Sequence, residues 1–142
     1  MSLPLGKPNR LLIPLIRVLE VVMSHIVTIE SKLHDGQAVA AACRRLQLAE
    51  PVAGKAQLFS GEAAGLLVQL PGWRYPAVVD VRSGAVRFDN FGGEWGDERH
   101  LHRFLQLYSV EKAKIEARKR NYPVSEEQLV DGSIRLQIVE GG

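Results

Sequence analysis

His100 and His102 are the residues that first suggest chemistry, because two imidazoles lie one residue apart. Histidines bind one metal ion from a helix when they are three or four residues apart and so share a face. A spacing of two places them on different faces, and neither His25 nor His34 has acids or thiols clustered around it. The sequence therefore predicts no metal site.

Cys43 is the only cysteine in the chain. A single thiol forms no internal disulfide and supports neither a zinc-ribbon nor an iron–sulfur framework, which predicts a reducing compartment, the cytoplasm. Val39, Ala42 and Leu46 recur with Cys43 at helical spacing. This pattern predicts a structural thiol on the apolar face of a helix rather than a reactive thiolate.

The glycine-rich stretch 92–96 precedes a predicted helix, where a phosphate-binding loop can occur. It lacks the lysine and the hydroxyl residue of a P-loop, and the acids Glu94, Asp97 and Glu98 would repel an anion there. The sequence also contains no serine elbow motif of the hydrolase type. We therefore predict no catalytic residue and no cofactor, and the sequence favours a protein that is not an enzyme.

Four of the nine aromatic residues occur in two short loops together with an arginine. These residues are Trp73, Arg74, Tyr75, Phe91 and Trp95. One interpretation is that the rings cap the open end of the core as a small cluster. The other is a protein-binding surface, because tryptophan, tyrosine and arginine dominate interaction hot spots.

A second candidate surface lies near the end of the long helix predicted for residues 97–121, where five cations accompany one anion. The cations are Lys112, Lys114, Arg118, Lys119 and Arg120. Basic residues near a helix C-terminus complement the helix dipole, which needs no ligand. The alternative is a nucleic-acid contact, which requires binding that weakens steeply with salt.

The elements that must position these residues follow the order β-α-β-β-β-β-α-β-β. Helices are predicted over 36–48 and 97–121, and strands over 25–32, 55–60, 65–70, 75–81, 85–90, 123–130 and 133–140. Strands and helices do not alternate, so we predict an α+β fold, a mainly antiparallel sheet with two helices packed on it. The acids in 123–130 suit an edge strand.

The hairpin around Ser83-Gly84 predicts where the two aromatic loops lie. A two-residue turn there would pair Asp80 with Arg87 as a surface ion pair. The same register would place Pro76 beside Phe91. The two aromatic loops should then lie side by side, next to the N-terminus of the long helix.

The 142 residues suffice for one domain, and a composition of 46% hydrophobic and 24% charged residues is typical of a globular fold. The first 22 residues carry the whole net charge of +2, so residues 23–142 have no field that would attract nucleic acid or a membrane. We predict an over-extended start over 1–22 and a single domain over 23–142. A short amphipathic anchor or partner-binding helix in 1–22 is the alternative.

Several segments resemble one protein family over nearly all of residues 23–142. They are Met23–Ile26, Gly72–Pro76, Phe88–Gly93, Trp95-Gly96 and Asp131–Leu136. These are similar to the plastid and cyanobacterial hypothetical chloroplast reading frame thirty-five proteins, called in bacteria domain of unknown function family twelve fifty-seven. That family has no assigned activity or catalytic residues, so the resemblance transfers no site. It implies an accessory or adaptor role beside ring-forming ATPases of the AAA class.

Together these observations predict a protein-binding accessory module that uses the aromatic loops, with an AAA-class ATPase as the partner that the resemblance implies. A nucleic-acid-binding accessory protein that uses the basic half of the long helix is the alternative. No membrane partner is expected, because the apolar run before Val22 is interrupted by Pro14, Arg17 and Glu20.

Overall fold

Two antiparallel sheets and two helices build the structure, a computed structural model that describes residues 8–13, 19–23, 26–30 and 32–139, with side chains from residue 32 onward. The strands are β1 Pro8–Ile13, β2 Leu19–Met23, β3 Ile26–Glu30, β4 Val52–Gln57, β5 Glu62–Val68, β6 Ala77–Asp80, β7 Ala85–Phe88, β8 Val124–Gln128 and β9 Ile134–Val139. The helices are α1 Gly36–Arg45 and α2 Glu98–Lys119.

The predicted α+β class is confirmed, and from β3 onward so is the predicted order of strands and helices. A six-stranded sheet has the order β2-β3-β7-β6-β5-β4, and a three-stranded sheet has the order β1-β9-β8. Strands β1 and β2 precede the predicted series, within the segment interpreted as an N-terminal extension. The rest of that extension, residues 1–7 and 14–18, lies outside the described residues.

Both helices begin at an aspartate whose side chain caps free backbone N–H groups. In α1 the Asp35 carboxylate accepts from the N–H groups of Gln37 and Ala38, at 2.9 and 3.3 Å. In α2 the Asp97 carboxylate accepts from the Arg99 N–H at 2.9 Å. Helical propensity and these caps together explain where each helix starts.

The larger of two hydrophobic clusters among the described residues joins the helices to both sheets. Fully buried residues come from α1, from the six-stranded sheet, from α2 and from β9: Val39, Cys43, Val79, Val86, Phe88, Phe104, Leu105, Ile134 and Leu136. The apolar stripe predicted for α2 is confirmed by the burial of its Leu101, Phe104, Leu105 and Tyr108. The first half of α2 is therefore fixed by packing.

The hairpin of β6 and β7 differs from its predicted register by two residues. Asp80 pairs with Ala85 and Val78 with Arg87, so the predicted ion pair between Asp80 and Arg87 is wrong. The Asp80 carboxylate instead closes a longer turn, since it accepts from the Arg82 N–H and from the Ser83 hydroxyl, both at 3.0 Å. A shift of two residues leaves every side chain on its predicted face.

The hairpin of β4 and β5 begins and ends earlier in the chain than predicted. The Leu58 N–H donates to the Gly61 carbonyl at 2.7 Å, so the turn lies at residues 58–61 rather than 61–64. Gly65 is required in β5, because a Cβ there would overlap the Val79 carbonyl of the neighbouring strand. The turn places Phe59 at the end of the sheet, outside any strand.

Candidate functional site

The two aromatic loops lie side by side at the start of α2, as predicted. The Arg74 N–H donates to the Trp95 carbonyl at 2.8 Å, which joins one loop to the other. The predicted hairpin register placed Pro76 beside Phe91, and this prediction is wrong. If the observed register of β6 and β7 is extended, the residue opposite Pro76 is Asp89.

Trp73 lies beneath the loops rather than on their surface. Its side chain is only 4% exposed, and its indole packs edge-on against Phe88 at a centroid distance of 5.6 Å. The indole Nε1–H donates to the Asp97 carbonyl at 3.0 Å. A Cβ at Gly96 would overlap the indole ring, so only glycine fits there. The assignment of Trp73 to a binding surface is therefore wrong, because the residue belongs to the supporting core.

Asn90 fixes the glycine-rich loop from below. Its buried side-chain amide donates to the Gly96 carbonyl at 3.2 Å and to the Glu98 carboxylate at 3.4 Å. The backbone carbonyl of Asn90 accepts a hydrogen bond from the Trp95 N–H at 2.9 Å. The loop is thus held at both ends by buried hydrogen bonds, and its exposed rings project from a fixed backbone.

Residues of the two loops and of the turn between β4 and β5 form a continuous set of four rings and one guanidinium, which we call the aromatic surface: Phe59, Arg74, Tyr75, Phe91 and Trp95. Tyr75 and Trp95 are half-buried, and the other three are exposed. Trp95 is the centre of the aromatic surface, with Phe91 stacked at 4.7 Å and Phe59 tilted at 5.2 Å between ring centroids. Tyr75 meets Trp95 edge-on at 5.8 Å. Phe59 and Phe91 are 55% and 44% exposed, which is unusual for phenylalanine.

Arg74 extends across two of these rings. Its guanidinium carbon lies 5.0 Å from the Trp95 ring centroid and 5.7 Å from that of Tyr75, both within cation–π range. Stacking restricts the arginine side chain before any partner arrives, so less conformational entropy is lost when its N–H groups bind an acceptor.

Phe91 has a backbone φ of +47°, in the left-handed region that bulky residues avoid. Gly92 and Gly93 follow with φ values of +62° and +105°. Such strain costs on the order of 1–3 kcal/mol and persists only where surrounding structure enforces it. The loop therefore presents a large apolar side chain outward although a glycine would fit the backbone better.

Phe59 was missed from the sequence because residues 55–60 were predicted to be a strand. The signal was present, since Phe59 is followed by Ser60-Gly61, a pair typical of turns. An aromatic residue in a turn has no sheet face to bury it. Its ring is instead paired with Trp95, from a segment 36 residues away in the sequence.

The five cations predicted as a nucleic-acid contact divide into two groups. Lys112 lies 3.1 Å from the Asp35 carboxylate and 2.8 Å from that of Glu116. Lys112 donates a hydrogen bond to each carboxylate, and both bonds raise its pKa, the bond to Glu116 most. Lys114 pairs with two glutamates, and Lys119 pairs with Glu116, each at 3.4 Å.

Arg118 and Arg120 form the second group. Neither has a carboxylate oxygen within 4.0 Å among residues 32–139. Lys112 and Lys114 are therefore held by acids that are largely buried, whereas the pair between Lys119 and Glu116 is an exposed surface pair. This weakens a continuous phosphate-binding stripe along the helix.

Cys43 and the histidines are the remaining residues that could do chemistry. Cys43 is fully buried, and burial raises the pKa of its thiol to about 11, so it stays protonated at neutral pH. His34 Nδ1 lies 2.9 Å from the Val81 carbonyl, and His100 is exposed on α2. His25 lies outside the described residues.

Within the part of the chain that the structure describes, no three His, Cys, Asp or Glu side chains come together as metal ligands. In the same residues, neither helix combines the length and the apolar character needed to cross a bilayer. Comparison of the chain with family models, with curated proteins and with solved structures finds no match.

Proposed function

We propose that this chain is a protein-binding accessory module that contacts its partner through the aromatic surface. The observation that carries the proposal is the exposed ring cluster around Trp95, built on a backbone that Asn90 and Trp73 hold from below. Contiguous exposed apolar side chains on a soluble fold mark interaction sites.

The chemistry of the aromatic surface suits a protein partner better than a nucleic acid. Arg74 is the only cation among its five residues, and Glu94 lies beside Trp95 in the adjoining loop, so the surface has little attraction for phosphates. Rigid rings provide contact area with little loss of conformational entropy. A stacked arginine beside them suits a partner carboxylate next to an apolar side chain.

The resemblance to domain of unknown function family twelve fifty-seven makes an AAA-class ATPase the first partner to test. Affinity capture with the immobilised full chain, from lysate of the organism that encodes it with and without nuclease treatment, provides the test. Three baits are compared: the natural sequence, the double variant Phe91→Ser/Trp95→Ala, and the control Val130→Ser. Val130 is fully exposed on the turn between β8 and β9, so its loss also removes an exposed apolar side chain.

We expect a protein partner to be retained by the natural and control baits and reduced about thirtyfold or more on the double variant, as for a central hot spot. Thermal unfolding of all three baits checks that the fold is intact. Equal retention on the three baits would show that the aromatic surface is not the contact. Partners that disappear with nuclease treatment would favour the nucleic-acid alternative.

A further inference from the structure

A groove between α1 and α2 provides a second surface of different chemistry, which we call the helix groove. It encloses about 640 Å³. Three of its eight lining residues are apolar, Ala40 and Ala41 of α1 and Ile115 of α2, and we call these the floor. Its rim carries Arg44 and Arg118, one from each helix.

The groove is some distance from the aromatic surface. Its α2 residues, Glu111 to Arg118, begin 13 residues after the helix starts at Glu98. At 1.5 Å of rise per residue, the two surfaces are separated by roughly 20–30 Å along the helix axis. One partner residue cannot contact both.

The acids near the groove are already neutralised. Arg45 NH1 lies 3.1 Å from the Glu111 carboxylate, and Lys114 lies 3.4 Å from it. Arg45 also makes a close pair with Glu126 of β8, which lowers the pKa of Glu126. These pairs fix the wall of the groove and leave little negative charge on it.

The rim arginines, in contrast, are available to a partner. Arg118 has no carboxylate within 4.0 Å among residues 32–139. Among the same residues, Arg44 pairs only with Glu50, at 3.4 Å, and the Arg44 and Glu50 side chains are 60% and 64% exposed. An exposed pair of this kind contributes about 0–1 kcal/mol, so a better-placed carboxylate can replace it.

We propose that the helix groove binds an acidic amphipathic helix of a partner protein. Helices pack with axes about 8–10 Å apart where the side chains between them are small, and Ala40 and Ala41 meet that requirement. The floor accepts the apolar side of such a helix, and Arg44 and Arg118 accept carboxylates flanking it. A nucleic acid would gain nothing from the apolar floor, and the lysines beside it are already paired.

The probe is a displayed library of 16-residue segments tiled across the proteome of the organism that encodes the chain, selected on the immobilised full chain. The test variant is Arg44→Glu/Arg118→Glu, which reverses both rim charges on exposed side chains. The matched control is Arg87→Glu, an exposed arginine on the face of the six-stranded sheet opposite the helices. Trp95→Ala is included so that failure of the aromatic surface is scored separately.

We expect enriched segments that carry acids on both sides of an apolar stripe of helical spacing. As synthetic peptides they should gain helical circular dichroism on binding and weaken about tenfold or more with Arg44→Glu/Arg118→Glu. Arg87→Glu and Trp95→Ala should leave their affinity unchanged. Selection of no segment, or of segments without acids, would overturn the proposal.

Two competing occupants are separated by further measurements on the same proteins. Binding of a 20-nucleotide single-stranded RNA that displaces the selected peptides would show a nucleic-acid groove and overturn the proposal. So would dimerisation of the free chain, measured by light scattering, that is lost in Arg44→Glu/Arg118→Glu. A monomer that does not bind the RNA supports the acidic helix.

Discussion

The aromatic surface and the helix groove depend on the same helix, α2, but they are supported in different ways. Beneath the aromatic surface lie the buried Trp73 indole and the buried Asn90 amide. Around the groove, Arg45 and Lys112 connect α1 and α2 to acids on other elements. One surface is positioned by packing and the other by charge pairs, so the two should respond differently to mutation and to pH.

The largest effect should come from Trp73→Ala, which removes a buried ring from beneath the aromatic surface. We expect a loss of about 3–5 kcal/mol in the free energy of unfolding, typical of a buried tryptophan. Trp95→Ala, the matched change in the exposed layer, should cost about 1 kcal/mol, since its ring contacts are partly solvated. Urea unfolding measures both, and equal losses would contradict the division into a support and a surface.

Arg45→Met should have an intermediate effect on the free energy of unfolding. The substitution removes the guanidinium that pairs with Glu111 and Glu126, and both carboxylates are largely buried. Hydrogen bonds to charged groups of this kind contribute about 1.5–3 kcal/mol, which is the loss we expect in urea unfolding. Arg135→Met is the control, since Arg135 pairs with Glu127 on an exposed strand face and should cost less than about 1 kcal/mol. A larger loss at Arg135 than at Arg45 would show that the charge pairs do not support the groove.

The smallest effect, and the one specific to pH, should come from Asp35→Asn. Burial alone would raise the pKa of Asp35, but hydrogen bonds from Lys112 and from the Ala38 and Gln37 N–H groups outweigh it and hold that pKa below 3.8. Asparagine still caps the helix, so only the charge is lost, at a cost of about 0.3–1 kcal/mol at pH 7.

Because the folded pKa of Asp35 lies below its unfolded value, its carboxylate stabilises the fold fully above the unfolded pKa. That stabilisation is lost as the pH falls through the folded value. The stability difference between the natural chain and Asp35→Asn should therefore be constant from pH 7 to about pH 5 and shrink as the pH falls below 3.8 through the folded pKa. A difference that grows on acidification would contradict this. The stability difference caused by Trp73→Ala should change much less over the same pH range.

The sequence predicted what depends on local pattern and missed what depends on distant partners. The stripe of Leu101, Phe104, Leu105 and Tyr108 located α2 because periodicity is a local property. The hairpin register failed because the side chain of Asp80 closes a longer turn than Ser83-Gly84 suggests. Even so, the core face was correct, since a two-residue slip keeps side-chain alternation.

The candidate sites show the same limit. Trp73 and Trp95 look equivalent in the sequence. Only the three-dimensional packing, in which Gly96 lies against the Trp73 indole, shows that Trp73 supports the aromatic surface and that Trp95 belongs to it. The helix groove could not be predicted, because the charge available at Arg118 depends on which neighbouring cations are already paired. One of those pairs, Arg45 with Glu126, joins residues 81 positions apart.

The pairing of β1 with β9 has a consequence for the time course of synthesis. Leu11 pairs with Leu136 and Ile13 with Ile134, so this sheet joins segments separated by nearly the whole described chain. At a translation rate of about 5–20 residues per second, β1 waits roughly 6–24 s before β9 has been made. Contacts of such long sequence separation also slow folding. The three-stranded sheet should thus form later than the β6–β7 hairpin.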